Sequence, residues 1–164
     1  MKSSEKLRLL LDSTYLLPIL GVEVEGIRNT LILLKKLRDE GKTEYYYTPF
    51  NLFEIIGKLS KLSYDLDTVA TGLTAIEEEF KLAQPAREGY LKALTLRARG
   101  HRDLIDLLLY TTSKTENIMF LTRDYTLIDF LKENHEDLSN ILDEKIFLKR
   151  YADNPHERSS ERNR

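Results

Sequence analysis

No cysteine occurs among the 164 residues, which excludes disulfides and thiolate metal sites. Histidine is scarce as well. His101, His135 and His156 lack the spacing of a ligand set, and zinc sites usually draw on His or Cys. Any metal is therefore expected on carboxylates, whose hard oxygens favour Mg²⁺ or Mn²⁺. No apolar run reaches the length of a membrane span. The start of the chain is polar, and the apolar stretch after it is broken by Asp12 and Pro18. No signal peptide is read, no membrane association is expected, and a cytoplasmic location follows as the default. An excess of one charge is also missing: the formal net charge is -2. Global charge thus offers no evidence for nucleic-acid binding, although a local basic patch can serve.

What is present suits one compact domain. Hydrophobic residues make up 41% and charged residues 32% of the chain, enough for a core and unlike a disordered segment. Leu7 to Leu11 is a short apolar run that fits a buried strand, with a helix segment as the alternative. Asp12, Ser13 and Thr14 then offer capping groups for a helical stretch. From Glu25 to Glu40 the residues Ile27, Leu31, Leu34 and Leu37 recur at helical spacing. Gly41 stands where a C-terminal cap is expected. Glu44 to Thr48 is aromatic and strand-favouring. Pro49 ends it, and Asn51 is read as the cap of a helix over 52–62. Asp65 or Asp67 caps another helix to about Phe80. Lys81 to Pro85 reads as a break. Helices are expected over 87–99, 102–114 and 125–133, and strands over 118–122 and 145–149. Residues 1–150 form the domain, and from Tyr151 onward a polar, mobile tail is expected. Strands separated by helices predict an α/β fold with a mostly parallel sheet.

Two strand candidates end at an aspartate, LRLLL at Asp12 and IMFLT, through Arg123, at Asp124. In an open parallel sheet the carboxyl ends of the strands face the ligand crevice. Central, parallel strands would bring Asp12 and Asp124 together there. Glu54 follows the aromatic strand within an apolar helix, and Asp106 lies inside DLIDLLLY with Asp103 one turn earlier. A buried aspartate needs a partner or a metal. Converging carboxylates repel unless a cation neutralises them. Three or four can hold Mg²⁺ or Mn²⁺ while leaving room for water and a substrate phosphate. That chemistry suits phosphodiester hydrolysis. Blander readings stand beside it. Asp12 and Asp124 are also candidate helix caps, Glu54 a solvated side chain, and Asp106 an ion-pair partner of Arg102.

The segments LLLDSTYLL, NLFEIIGKL and DLIDLLLYTTSKTENIMFLTRDYTLIDF resemble the PIN-domain family, which includes the VapC toxin ribonucleases of toxin–antitoxin pairs. Asp106 precedes Asp124 by 18 positions, as in the usual family layout, and FLTRD is similar to the family's strand end. The resemblance spans about Leu7 to Phe147. The stretch after the third acid, 107–112, is bulkier and more polar than the alanine-rich family pattern.

By this resemblance Asp12, Glu54, Asp106 and Asp124 are the metal-binding catalytic acids. Ser13, Thr122 and Asp103 are auxiliary, and Asp103 competes with Asp106 for the third place. The resemblance implies a three-layer α/β/α fold with a sheet of about five strands. It implies Mg²⁺- or Mn²⁺-dependent cleavage of single-stranded RNA, a homodimer and, for a toxin, an antitoxin partner. A PIN-like RNA-binding or assembly module without catalysis is the alternative, against which the full acidic set argues. A phosphoaspartate phosphatase would want a second aspartate after Asp12, and Asp12-Ser13-Thr14-Tyr15 does not supply it. Lys92, Arg97, Arg99, His101 and Arg102 form a basic stretch suited to RNA phosphates. Tyr45, Tyr46 and Tyr47 are candidate base-stacking groups, with core packing as the other reading.

Overall fold

In the computed structural model, residues 5–152 are described. Five strands form one parallel sheet in the order β3-β2-β1-β4-β5. They are β1 (Leu7–Leu11), β2 (Thr43–Tyr47), β3 (Lys81–Leu82), β4 (Met119–Thr122) and β5 (Ile141–Asp143). Between and after them run α1 (Ser13–Leu16), α2 (Arg28–Asp39), α3 (Pro49–Leu59), α4 (Leu66–Glu79), α5 (Arg87–Ala98), α6 (Leu104–Thr115), α7 (Tyr125–Glu133) and α8 (Glu144–Ala152). A 3₁₀ turn, Leu17–Leu20, continues α1. Among the described residues, no helix is long and apolar enough to cross a membrane.

The alternation of strand side chains builds the three layers. Leu9, Leu11, Tyr45, Tyr47 and Leu121 point to one face, where they meet Tyr15, Leu34, Ile55, Ile76 and Phe147. Leu10, Tyr46 and Phe120 point to the other, against Ala93, Leu96, Leu107, Tyr110, Leu127 and Leu131 of α5, α6 and α7. Strand order decides where a ligand can enter. From β1 the chain moves outward to β2 and β3, then crosses back to β4 and outward to β5. The order therefore reverses between β1 and β4, and a crevice opens at their carboxyl ends.

Local sequence explains most element ends. At the end of α2, the Gly41 N–H bonds to the Arg38 carbonyl and the Lys42 N–H to the Leu37 carbonyl. Gly41 takes φ 68°, which completes a Schellman cap. Gly72 serves a different need. A Cβ there would lie 2.4 Å from the Ile19 carbonyl oxygen, so its absence lets α4 seat directly on the 3₁₀ turn.

Three sequence expectations need correction. Residues 145–149 belong to helix α8, and the last strand lies earlier, at Ile141–Asp143. Only Leu142 is fully buried in that strand, so its apolar signature is short, whereas Ile146 and Phe147 gave the helix a strand-like look. Pro49 opens α3 rather than merely ending β2. Thr48 is the cap: its hydroxyl accepts the Asn51 N–H at 3.1 Å, and Asn51 reciprocates on the Thr48 N–H at 2.8 Å. Finally, Lys81–Leu82 pairs with Tyr46–Tyr47 as the edge strand β3, too short to show an alternating pattern. Helix α8 runs on through Tyr151 and Ala152. The rest of the expected tail lies outside the described residues.

Candidate metal centre

Each acid arrives at the β1–β4 crevice by a separate route. Asp12 follows β1 directly, and its N–H bonds to the Leu121 carbonyl at 3.1 Å. It stands at the start of α1 but makes no side-chain cap. Its Oδ2 instead accepts the Thr122 hydroxyl at 2.7 Å. The same Thr122 oxygen accepts the Asp124 N–H at 3.0 Å, so one fully buried hydroxyl fixes the first and last acids together. Asp124 also caps α7, its Oδ1 accepting the Leu127 N–H at 3.1 Å. The capping reading is thus correct for Asp124 and wrong for Asp12.

Glu54 comes from α3. Asn51, one turn earlier, is fully buried and donates to the Leu11 carbonyl at 3.2 Å and to the Ser13 hydroxyl at 3.0 Å. These bonds dock the start of α3 on the end of β1. The Ser13 hydroxyl is engaged in that joint. The backbone N–H of Ser13 still favours the charged form of the Asp12 carboxyl. Glu54 itself pairs with Lys58 at 3.0 Å.

Asp106 and Asp103 both reach the site. Asp103 caps α6, its Oδ1 accepting the N–H groups of Ile105 and Asp106 at 2.9 and 3.4 Å. Carboxylate oxygens of Glu54, Asp103 and Asp106 all lie within 4.8 Å of one another. The two aspartates are therefore neighbours in one cluster with Glu54. Asp106 does not pair with Arg102; its Oδ2 lies 3.1 Å from Nε2 of His101.

The electrostatics follow from this crowding. Burial raises the Asp12 carboxyl to about 6, against the pull of the Thr122 hydroxyl and with added repulsion from Glu54 and Asp124. Burial pushes Asp106 up to about 9, reinforced by Asp103, Asp124 and Asp12. The sources of these shifts tie Asp12, Glu54, Asp103, Asp106 and Asp124 into one mutually repelling set. Among the described residues, Lys58 on Glu54 is the one cation paired directly with it, and the His101 ring, whose burial disfavours its charged form, meets Asp106.

The donor set fits a hard divalent cation. Every donor is a carboxylate oxygen, and each acid has one oxygen anchored: Asp12 by Thr122, Glu54 by Lys58, Asp103 and Asp124 by helix N–H groups, Asp106 by His101. Such anchoring orients ligands without consuming both oxygens. A cation would also relieve the repulsion that raises Asp12 and Asp106.

Two residues escaped sequence reasoning. Asn51 was legible only as a cap, and His101 only as part of a basic stretch. Nothing in a single sequence ties His101 to Asp106, because a non-periodic loop joins them. The basic stretch itself is partly neutralised, with Lys92 and Arg99 both pairing with Glu136 at 2.6 and 3.4 Å. Arg97 and Arg102 remain exposed. Tyr45, Tyr46 and Tyr47 are all buried, which removes them as base-stacking groups. Arg123 holds the Glu25 carbonyl at 3.1 Å.

No family model and no curated protein sequence matches the chain. Solved structures do. VapBC2 from Rickettsia felis, bound to a DNA fragment from its promoter, aligns over 84% of this chain and 98% of its own, with 15% identity and a TM-score of 0.56. PAE2754 from Pyrobaculum aerophilum aligns over 92% and 98%, with 13% identity and a TM-score of 0.58. DNA-bound VapBC from Salmonella typhimurium aligns over 84% and 98%, with 13% identity and a TM-score of 0.53. At such identities the likeness establishes the fold, which is PIN-like.

Proposed function

We propose that this PIN-fold chain is a divalent-metal-dependent endoribonuclease that cuts single-stranded RNA, with Mg²⁺ or Mn²⁺ held by Asp12, Glu54, Asp106 and Asp124. The observation that carries the reading is the clustering of Glu54, Asp103 and Asp106 oxygens within 4.8 Å, with Asp12 and Asp124 outside that group but close enough to repel it. When bound, the cation supplies Lewis acidity toward a phosphodiester and lowers the pKa of a coordinated water.

The chain's own residues do the rest. Thr122 holds the Asp12 carboxylate in one orientation and ties it to the Asp124 backbone. Asn51 sets the distance between α3 and β1, and hence where Glu54 enters. Asp103, exposed at the rim and close to Glu54 and Asp106, is an auxiliary ligand or an acceptor for a metal-site water. The exposed Arg97, near the end of α5, and Arg102, in the loop that leads to Asp103, suit the flanking phosphates of a strand. No side-chain nucleophile is needed, since water attacks phosphorus.

The toxin role of a toxin–antitoxin pair is the biological setting we favour, with an antitoxin protein as partner and a homodimer as the assembly. Its support is the company of similar folds, which includes a toxin–antitoxin complex from Klebsiella pneumoniae.

The test is cleavage of a mixed-sequence single-stranded RNA by purified protein in Mn²⁺ or Mg²⁺ against EDTA, with Asp12→Asn alongside. Metal-dependent cutting that disappears in the folded variant is expected. A folded parent that cuts nothing but binds RNA would favour a PIN-like binding module instead.

A further inference from the structure

His101 lies in the α5–α6 loop, between Gly100 and the α6 cap Asp103. Gly100 takes φ 121°, a conformation that side chains rarely tolerate. That turn sends the His101 ring inward, where it is only 6% exposed. The ring lies against Phe130 of α7, with centroids 5.0 Å apart and planes inclined at 45°. Packing thus fixes the ring from one side, and Nε2 meets Oδ2 of Asp106 at 3.1 Å from the other.

We propose that His101 is a positioning residue for the metal centre, holding one oxygen of Asp106 so that the carboxylate plane is set when a cation binds. The inference rests on the reading of Asp106 as a ligand. In a neutral imidazole facing a carboxylate ligand, Nε2 carries the hydrogen and Oδ2 accepts it. Asp106 is the acid that most needs such a hold. Thr122 fixes Asp12, and helix N–H groups fix Asp103 and Asp124. Asp106 projects from the first turn of α6, where its side-chain contacts are the like-charged Asp124 and the His101 ring, so His101 is the neighbour able to hold it as a carboxylate. A histidine kept only for packing against Phe130 would not need a carboxylate at Nε2. Partners of this kind, behind a ligand, typically change metal affinity by about 10- to 100-fold when removed.

The experiment is Mn²⁺ titration by electron paramagnetic resonance of the parent, His101→Gln, His101→Leu, Asp106→Asn and the His101→Leu/Asp106→Asn pair. Thermal unfolding without metal is measured on each. Glutamine keeps a donor near the Nε2 position and is expected to hold Mn²⁺ within about threefold of the parent. Leucine is expected to weaken binding by about 10- to 100-fold. In the pair, the loss from His101→Leu is expected to vanish, because the group it acts through is gone. Should His101→Leu fail to fold, His101→Phe, which keeps an aromatic ring on Phe130, takes its place. Parent-like affinity in a folded leucine or phenylalanine variant overturns the proposal. So does a glutamine variant as weak as leucine, or additive losses in the pair. A parent that binds no Mn²⁺ overturns the metal reading itself, a result distinct from these.

Discussion

Thr122 donates its hydroxyl hydrogen to Oδ2 of Asp12 at 2.7 Å, from the end of β4 to the end of β1. Both residues are buried, and they stand on either side of the point where strand order reverses. The bond does two things. It gives a buried carboxylate one satisfied oxygen, and it opposes the effect of burial on the Asp12 proton.

Thr122→Val should therefore damage the site more than the fold. A buried acceptor loses its donor, at a cost of about 1–3 kcal/mol. The Asp12 carboxyl should move above its present value of about 6, so that more of it is protonated at neutral pH. RNA cleavage and Mn²⁺ affinity should fall by about tenfold or more, while Thr122→Ser keeps both within a few-fold. Cleavage rates and metal titrations on the two variants check this.

Asp106→Asn should separate stability from activity. Burial and the neighbouring acids push the Asp106 carboxyl up to about 9, so its charge is unfavourable in the metal-free fold. A neutral amide there is expected to stabilise the metal-free protein at any pH above about 4, where the unfolded chain ionises Asp106 and the fold resists it. A gain of about 1 kcal/mol would raise Tm by about 2–4 °C for a domain of this size. Cleavage should be lost. Calorimetry without metal, beside the RNA assay, measures both effects, and a lower Tm would contradict this electrostatic reading.

Stability of the metal-free protein should fall as pH rises. Asp12 and Asp106 hold their protons more tightly folded than unfolded, with values of about 6 and about 9 against 3.8 for a free aspartate. The folded state then binds more protons, so unfolding free energy decreases with pH across that window. The decline should begin above about pH 4, and the Asp106 contribution should be complete only beyond its folded value. Mg²⁺ should reverse the trend by favouring the ionised forms. Urea midpoints from pH 4 to 9, with and without Mg²⁺, test the sign.

The layout of the sheet was legible in the sequence because apolar runs ending in acids mark strand ends at a crevice. LRLLL before Asp12 and IMFLT before Arg123-Asp124 carried that signal. Helix α2 was legible from its spacing, and its end from Gly41. What was hidden depends on through-space contacts or on short elements. Lys81–Leu82 becomes a strand only because Tyr46–Tyr47 lies beside it. Ser13, expected to aid the acids, accepts the Asn51 side-chain amide on its hydroxyl. His101 meets Asp106 only through the turn at Gly100 and the wall of Phe130.

Gly72→Ala tests the packing that supports the first layer. The added methyl would lie 2.4 Å from the Ile19 carbonyl oxygen, and backbone on both sides leaves little room to yield. A loss of about 1–3 kcal/mol is expected. Chemical unfolding should show it, with metal affinity little changed, because the clash lies between α4 and the 3₁₀ turn and touches no acid directly.

The most direct measurement is a Mn²⁺ titration of the purified chain against its Asp12→Asn variant, read by electron paramagnetic resonance. The variant can keep the Thr122 bond through its amide oxygen, so its fold should survive. Saturable binding by the parent, weakened by about tenfold or more in the variant, is the predicted result. Equal binding by both, or no saturable binding by a folded parent, would contradict the assignment of this acidic cluster as a metal centre.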